Sequence, residues 1–203
     1  MSRKRPVIQE PPPPAAHRTD SEAIVEAVIG AAIELGPQAT LASIAERAGV
    51  GTASLHRYFP STAAIFAEVS RQTYRQLLQQ VRELTSRSDL DPREMVEAVC
   101  RVALAGPGLS LEHRRRLNTE IPLGWALPTV EPVYREVLDE LVRWAKAHLP
   151  DPPPDLEARV FVAFGIVRGA VLLSLLFPAL APPMETTLGI VSATVYRTLT
   201  GNQ

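Results

Sequence analysis

A chain of 203 residues with 46% hydrophobic residues is long enough for one large domain or two small ones around a real core. Its single cysteine, Cys100, excludes an internal disulfide and suits a reducing compartment. A net charge of −1 excludes a chain that is basic throughout.

The first stretch, "MSRKRPVIQEPPPPAA", has no apolar run of the kind a secretory signal needs, so a cytoplasmic location is expected. Residues 1–16, with Arg3, Lys4, Arg5 and the run Pro11–Pro14, read as an extended, disordered tail. "TDSE" then offers Thr19 as N-cap and Glu22 three residues on, a capping box. Ile24, Val28, Ala31 or Ala32, and Leu35 follow at helical spacing, and Gly36-Pro37 stops the helix. Thr40 opens a short helix, "LASIAERA", which Gly49 ends, and Gly51 or Thr52 caps another that runs to about Tyr58. A long helix opens at Pro60-Ser61, with Ile65, Phe66, Val69, Tyr74, Leu77, Leu78, Val81 and Leu84 as its inner stripe.

Beyond residue 90 the pattern stays helical. One helix is predicted from about Pro92 to Leu104, stopped by Gly106-Pro107-Gly108, and another over roughly 110–119. The stretch "EIPLGWALPTVEP" reads as irregular and leads into a helix ending near His148, after which "PDPPPD" breaks the chain. Two apolar helices, about 155–177 and 185–200, complete an all-α chain with no strand signal and no internal repeat. The run "VFVAFGIVRGAVLLSLLF" could be read as a membrane span. Arg168 in its middle costs roughly 2.5–3.5 kcal/mol on insertion scales, and the run is short against the ~20 residues a span takes. A buried helix, and no membrane, is the expectation.

The segment "GVGTASLHRYFPSTAAIF" makes the sharpest statement about function. A short helix, a glycine turn and a second short helix form a helix-turn-helix, with Gly49 supplying the positive φ of the turn. With Val50 plugging the turn and Leu55 and Phe59 inward, the second helix presents Thr52, Ala53, Ser54, His56, Arg57 and Tyr58. Small residues at its start suit entry into a DNA major groove. Against this, a helical hairpin exposing polar groups to water looks the same. Residues 17–62 also hold three arginines against five acids, a net of −2.

The run "TLASIAERAGVGTASLHRYFPSTAAIF" resembles the DNA-binding segment of the TetR family of transcriptional repressors. The marks are Thr40, Ile44-Ala45, Ala48-Gly49-Val50, Leu55, Tyr58-Phe59 and the helix restart at Ser61, within residues 18–68. The resemblance implies a homodimer on a palindromic operator, released by a small-molecule effector held in the C-terminal part. It implies DNA binding by residues 17–64 and effector binding and dimerisation by residues 65–203. It also implies a phosphate contact from Thr40, base contacts from Thr52, Ala53, Ser54 and Arg57, and a backbone contact from Tyr58. His56 stands where the family usually has tyrosine, and Thr62 where it usually has lysine, both usual phosphate contacts. The basic Arg3-Lys4-Arg5, on a proline-stiffened arm of roughly 30 Å reach, is expected to replace them.

Other residues have two readings each. Phe66, Tyr74, Trp125 and Tyr134 could wall an effector cavity or pack in a core. Gly165 and Gly169, four apart on one helix face, fit a helix-to-helix dimer interface or a tight contact within the chain, and Leu172, Leu176, Val191 and Val195 are expected in or near a four-helix interface with the partner. His113-Arg114-Arg115-Arg116 reads as a solvated helix face in preference to an anion site. Cys100 with His113 lacks metal-ligand spacing, and neither a metal, a cofactor nor a catalytic constellation is expected. The rival to a repressor is an all-helical small-molecule-binding module, or an enzyme using His113 or His148, with little affinity for DNA.

Overall fold

The computed structural model describes residues 16–106 and 108–201. Arg3, Lys4 and Arg5 lie outside them. The described residues form nine helices and no strand: α1 Ala16–Leu35, α2 Leu41–Ala48, α3 Thr52–Tyr58, α4 Thr62–Thr85, α5 Pro92–Ala105, α6 Leu111–Thr119, α7 Leu123–His148, α8 Leu156–Leu176 and α9 Met184–Thr200. The all-α expectation holds, and most boundaries fall within a few residues of those read from the sequence.

Three expectations need correction. Helix α1 begins at Ala16, so Thr19 sits within its first turn and is not its N-cap. Leu35, the last residue of α1, is exposed; the buried stripe is Val28, Ile29, Ala31 and Ala32. The segment expected to be irregular is the first part of α7, with Pro128 and Pro132 inside the helix. Each proline removes one backbone N–H, yet Val130, Val133 and Val137 keep helical spacing and are buried. Packing of α7 along α4 outweighs two lost hydrogen bonds at exposed positions.

Capping fixes the other ends. Asp91 caps α5: its Oδ1 accepts from Arg93 and Glu94 backbone N–H groups, and Glu94 Oε2 accepts from Asp91 N–H at 3.0 Å. Pro92 takes the first helical position, where its missing N–H costs nothing. Gly106, at φ 79°, ends the helix, and Arg114 lies directly over it: a Cβ there would stand 2.3 Å from Arg114 Nε. The Arg114 guanidinium donates to the last carbonyls of α5, Leu104 O and Ala105 O.

Two main clusters of apolar residues result. One joins α1, α2 and α3 to the start of α4, through Val28, Ala32, Ile44, Leu55, Phe59, Ile65 and Phe66. The other joins α5, α7, α8 and α9, through Met95, Cys100, Trp144, Val160, Leu188, Val191 and Val195. Helix α4 spans both, and Leu78 packs with Val133 and Val137 between them.

Helix α8 is apolar on every side. One face, Val160, Ala163, Val171 and Leu175, is buried in the second cluster. A second, Phe161, Gly165, Arg168 and Leu172, borders a cavity. The third, with Val162, Leu173 and Leu176, is exposed, and Leu173 is 59% accessible. Among the described residues α8 is the one helix long and apolar enough to cross a membrane; here it packs against α5, α6, α7 and α9.

Candidate functional site

The helix-turn-helix is built by local chemistry. Thr40 Oγ1 accepts from Ser43 N–H and Ser43 Oγ accepts from Thr40 N–H, each at 3.1 Å, which closes the start of α2. At its end Gly49 turns left-handed at φ 68°. Val50 N–H then reaches Ala45 O at 3.0 Å and Gly49 N–H reaches Glu46 O at 3.1 Å, a Schellman pair. Three residues later α3 starts. Leu55 (0% accessible) and Phe59 (6%) pin it to the core. Thr52, Ala53, His56 and Arg57 are exposed, and Ser54 and Tyr58 half-buried. Arg57 folds back over its neighbour: Nη2 donates to Tyr58 Oη at 3.3 Å, and the guanidinium lies 5.4 Å from the ring centre. Ser61 caps α4 through Ala64 N–H at 3.2 Å, so Thr62 is the first residue of that helix and half-buried.

None of the acids of this region is on α3. Glu22, Glu26 and Glu46 are exposed on α1 and α2, and Glu34 is paired with Arg47. Helices α1 and α2 therefore carry five acids against Arg18 and Arg47, while the charged or titratable side chains of α3 are Arg57, His56 and Tyr58.

The second candidate site is a cavity of about 470 Å³ enclosed by α4, α6, α7 and α8. Its walls are mostly apolar, including Leu77, Leu117, Val130 and Phe164. Tyr134 stands edge-on to Tyr74 (ring centres 4.8 Å apart) and to Phe164 (5.1 Å). Burial and the neighbouring Tyr74 push the Tyr134 phenol far up, so it stays protonated. Arg168 extends over both tyrosines, 5.5 and 5.8 Å from their ring centres. Its Nη2 donates to Asn118 Oδ1 at 3.4 Å. Arg114 also lines this space, and burial together with the Arg168 charge lowers its pKa. A smaller apolar void of about 90 Å³ lies behind, sharing Leu77, Phe164 and Arg168 with the larger one.

The residues expected around an effector separate. Tyr74 and Tyr134 line the cavity. Phe66 and Trp125 do not: the first turns of α4 pack on α1, which places Phe66 in the N-terminal core, and Trp125, near the start of α7, packs against that core. The residues expected at a dimer interface separate too. Gly169 and Leu176 remain outward or half-covered, Gly165 and Leu172 border the cavity, and Val191 and Val195 are enclosed in the chain's own core. The basic run at 113–116 is not one solvated face, since Arg114 turns inward. His148 stacks on Trp144 with ring centres 5.5 Å apart. Cys100 is buried, which raises its thiol to about 12. Among the described residues no cluster of three or more metal-ligating side chains occurs.

Residues 18–69 match the family model described as bacterial regulatory proteins, tetR family. The chain carries a TetR-family DNA-binding domain. The whole fold is also that of solved TetR-like regulators. A TetR-family regulator from Mesorhizobium loti superposes with a TM-score of 0.70 at 14% identity, over 91% of this chain and 97% of that one. FadR from Bacillus subtilis, solved in complex with stearoyl-CoA, gives 0.65 at 15% identity, over 90% and 100%. A transcriptional regulator from Rhodococcus sp. Rha1 gives 0.62 at 23% identity, over 88% and 97%. No curated protein matches the chain.

Within this TetR-like fold, the residues that sequence reasoning passed over are Arg168, Asn118 and the inward Arg114. A lone arginine inside the most apolar run of the chain was the available signal.

Proposed function

We propose that this TetR-family transcription regulator is a ligand-responsive repressor that binds a palindromic operator as a homodimer in the cytoplasm. The observation that carries it is α3: a seven-residue helix pinned by Leu55 and Phe59, with Thr52, Ala53, Ser54, His56 and Arg57 turned outward. Thr40 and Tyr58 flank it for backbone contacts, and the basic Arg3-Lys4-Arg5 and the half-buried Thr62 complete the phosphate side.

Homodimerisation is supported by the exposed face of α8 with Ile190 of α9, an unpartnered apolar surface unusual for a lone chain. The cavity is the effector site. Two helices join it to the N-terminal helices. Helix α4 begins four residues after α3 ends and reaches the cavity at Tyr74 and Leu77. Helix α6 lines the cavity with Leu117 and Asn118, while Arg116 Nη1 on the same helix donates to Glu34 O, near the end of α1, at 3.3 Å. A ligand that favours a different setting of these helices shifts the population toward a dimer with mismatched half-site spacing.

The test is a gel shift of the full chain on the DNA upstream of its own gene, with sedimentation alongside. Retardation resistant to nonspecific competitor is expected, and Arg57→Ala should weaken it by about 1–3 kcal/mol without altering the melting temperature. Leu173→Glu should convert a sedimenting dimer to monomer. A chain that shows no preference for this DNA favours the rival, a ligand-binding module with little DNA affinity, for which the net −2 and the departures at His56 and Thr62 speak.

A further inference from the structure

We propose that the cavity between α4, α6, α7 and α8 takes an amphipathic carboxylate, its anionic head on the Arg168 guanidinium and its apolar body against Leu77, Leu117, Val130 and Phe164. This rests on the reading of that cavity as the effector site.

The charge balance is the first ground. Two arginines, Arg114 and Arg168, border the cavity, and none of its lining residues is acidic. None of the ion pairs among the described residues includes either arginine. A charge taken partly out of water without a counter-charge is costly, and here two like charges face the same space. The repulsion registers at Arg114, whose pKa is lowered by burial and then by Arg168. An entering anion relieves both costs at once.

The second ground is the difference between the two arginines. Arg114 is occupied: it holds the Leu104 and Ala105 carbonyls at the end of α5 and lies over Gly106. Arg168 is not. Of the five N–H donors of a guanidinium, one makes a long bond to Asn118 Oδ1 at 3.4 Å. Its guanidinium carbon lies 5.5 and 5.8 Å from the ring centres of Tyr74 and Tyr134, cation–π contacts that help to orient the planar fork without using its N–H donors. A planar fork with free donors matches a carboxylate, which it can grip with two parallel bonds.

The third ground is shape and polarity. A volume of about 470 Å³ falls within the ~300–1,000 Å³ of small-molecule sites. Around the single free cation the walls are aliphatic and aromatic, the pattern for a ligand with one charged end and an apolar remainder. A cation would meet two arginines and no acid, and a wholly apolar ligand would cover the half-buried Arg168 without answering its charge.

The experiment is calorimetric titration of the full chain without DNA, using decanoate against decanol and naphthoate against naphthol near neutral pH. The carboxylate of at least one pair should bind about tenfold or more tightly than its alcohol. In Arg168→Met that preference should fall to near one with the alcohol's affinity unchanged, and Arg168→Lys should keep part of it. Equal binding of acid and alcohol by the wild-type chain, no binding of either acid, or a preference that survives Arg168→Met overturns the proposal. The wild-type preference is read without a variant, so a variant that does not fold leaves the test intact. A carboxylate that binds in this way yet leaves operator affinity unchanged overturns the regulatory reading and not this one. A chain that binds operator but prefers neither acid does the reverse.

Discussion

The two ends of the molecule use their apolar side chains differently. Residues of α1 to α3 and the start of α4 close one tight cluster in which Val28, Ala32, Ile44, Leu55 and Ile65 have no accessible surface. From Ser70 onward a second buried cluster forms around Met95, Cys100 and Leu188, but part of the apolar set borders empty volume or faces outward: Leu77 and Phe164 line a cavity, and Phe161, Leu173 and Ile190 are more than half exposed. A DNA-reading unit has to hold a few side chains in fixed positions, which a closed core does. The proposed role of the other end, admitting a ligand and a second subunit, requires apolar surface that stays available until they arrive.

Four measurements break or sharpen this contrast. The largest effect belongs to Phe66, 1% accessible, in the N-terminal cluster. Phe66→Ala should cost about 3–5 kcal/mol in denaturant unfolding. A loss below about 1 kcal/mol would mean that the N-terminal core is as loose as the cavity walls. Next is Cys100, which asks whether the C-terminal core is shut despite the neighbouring cavity. Burial and then Glu97 raise its thiol from 9.0 to about 12. Its reaction with a thiol reagent at pH 8 should therefore be roughly a thousandfold slower than for an ordinary cysteine; fast labelling of the folded chain would show that α5 opens readily.

A pair of glycines then separates backbone from packing. A Cβ at Gly49 or at Gly30 meets nothing within 4 Å. Gly49 sits at φ 68°, and Gly30 is within α1. Gly49→Ala should destabilise by about 1–2 kcal/mol, and Gly30→Ala should stabilise by roughly 0.5–1 kcal/mol. Thermal melts moving in the same direction would sink this account of the turn.

The smallest effect is at Glu68 on α4, the helix common to both ends. Burial alone would raise its carboxyl, but hydrogen bonds from Arg71 and Gln72 and the charges of Arg71 and Arg75 outweigh that and hold it below 4.5. A carboxyl depressed in the folded state adds stability in full above its unfolded value. That stability fades as pH falls through and below about 4.5. Glu68→Gln should remove this acid-side slope, a change of about 0.2–1 kcal/mol, seen in melts compared at pH 7 and pH 4.

The same contrast explains what could be read in advance. The helix-turn-helix was legible because its determinants are local: Thr40 and Ser43 cap, Gly49 turns, and Leu55 and Phe59 sit four apart on one face. The cavity was not, because Tyr74, Asn118, Tyr134 and Arg168 come from four helices spread over nearly a hundred residues, and no spacing rule joins them. Arg168 stood out only as an objection to a membrane span, although an arginine amid so many aliphatic residues demands a partner. The start of α7 was missed because Pro128 and Pro132 speak locally against a helix, while the contacts that keep it helical are with distant α4. Val191 and Val195 were placed at a dimer interface because a one-dimensional pattern marks a residue as apolar without saying which of two apolar surfaces it meets.

Helix α8 has one further consequence. Phe161, Gly165, Arg168 and Leu172 border the cavity, and Val162, Leu173 and Leu176 on the adjoining face are exposed, the surface that the proposed second subunit would cover. In the proposed dimer one helix would serve two associations, and thermodynamic reciprocity would tie them: whatever setting of the helix a guest selects would be felt by the partner, and the converse. The apparent dissociation constant of a guest molecule should then drift with protein concentration across the range where protomers pair, so that the abundance of the chain itself becomes one of the inputs it reports.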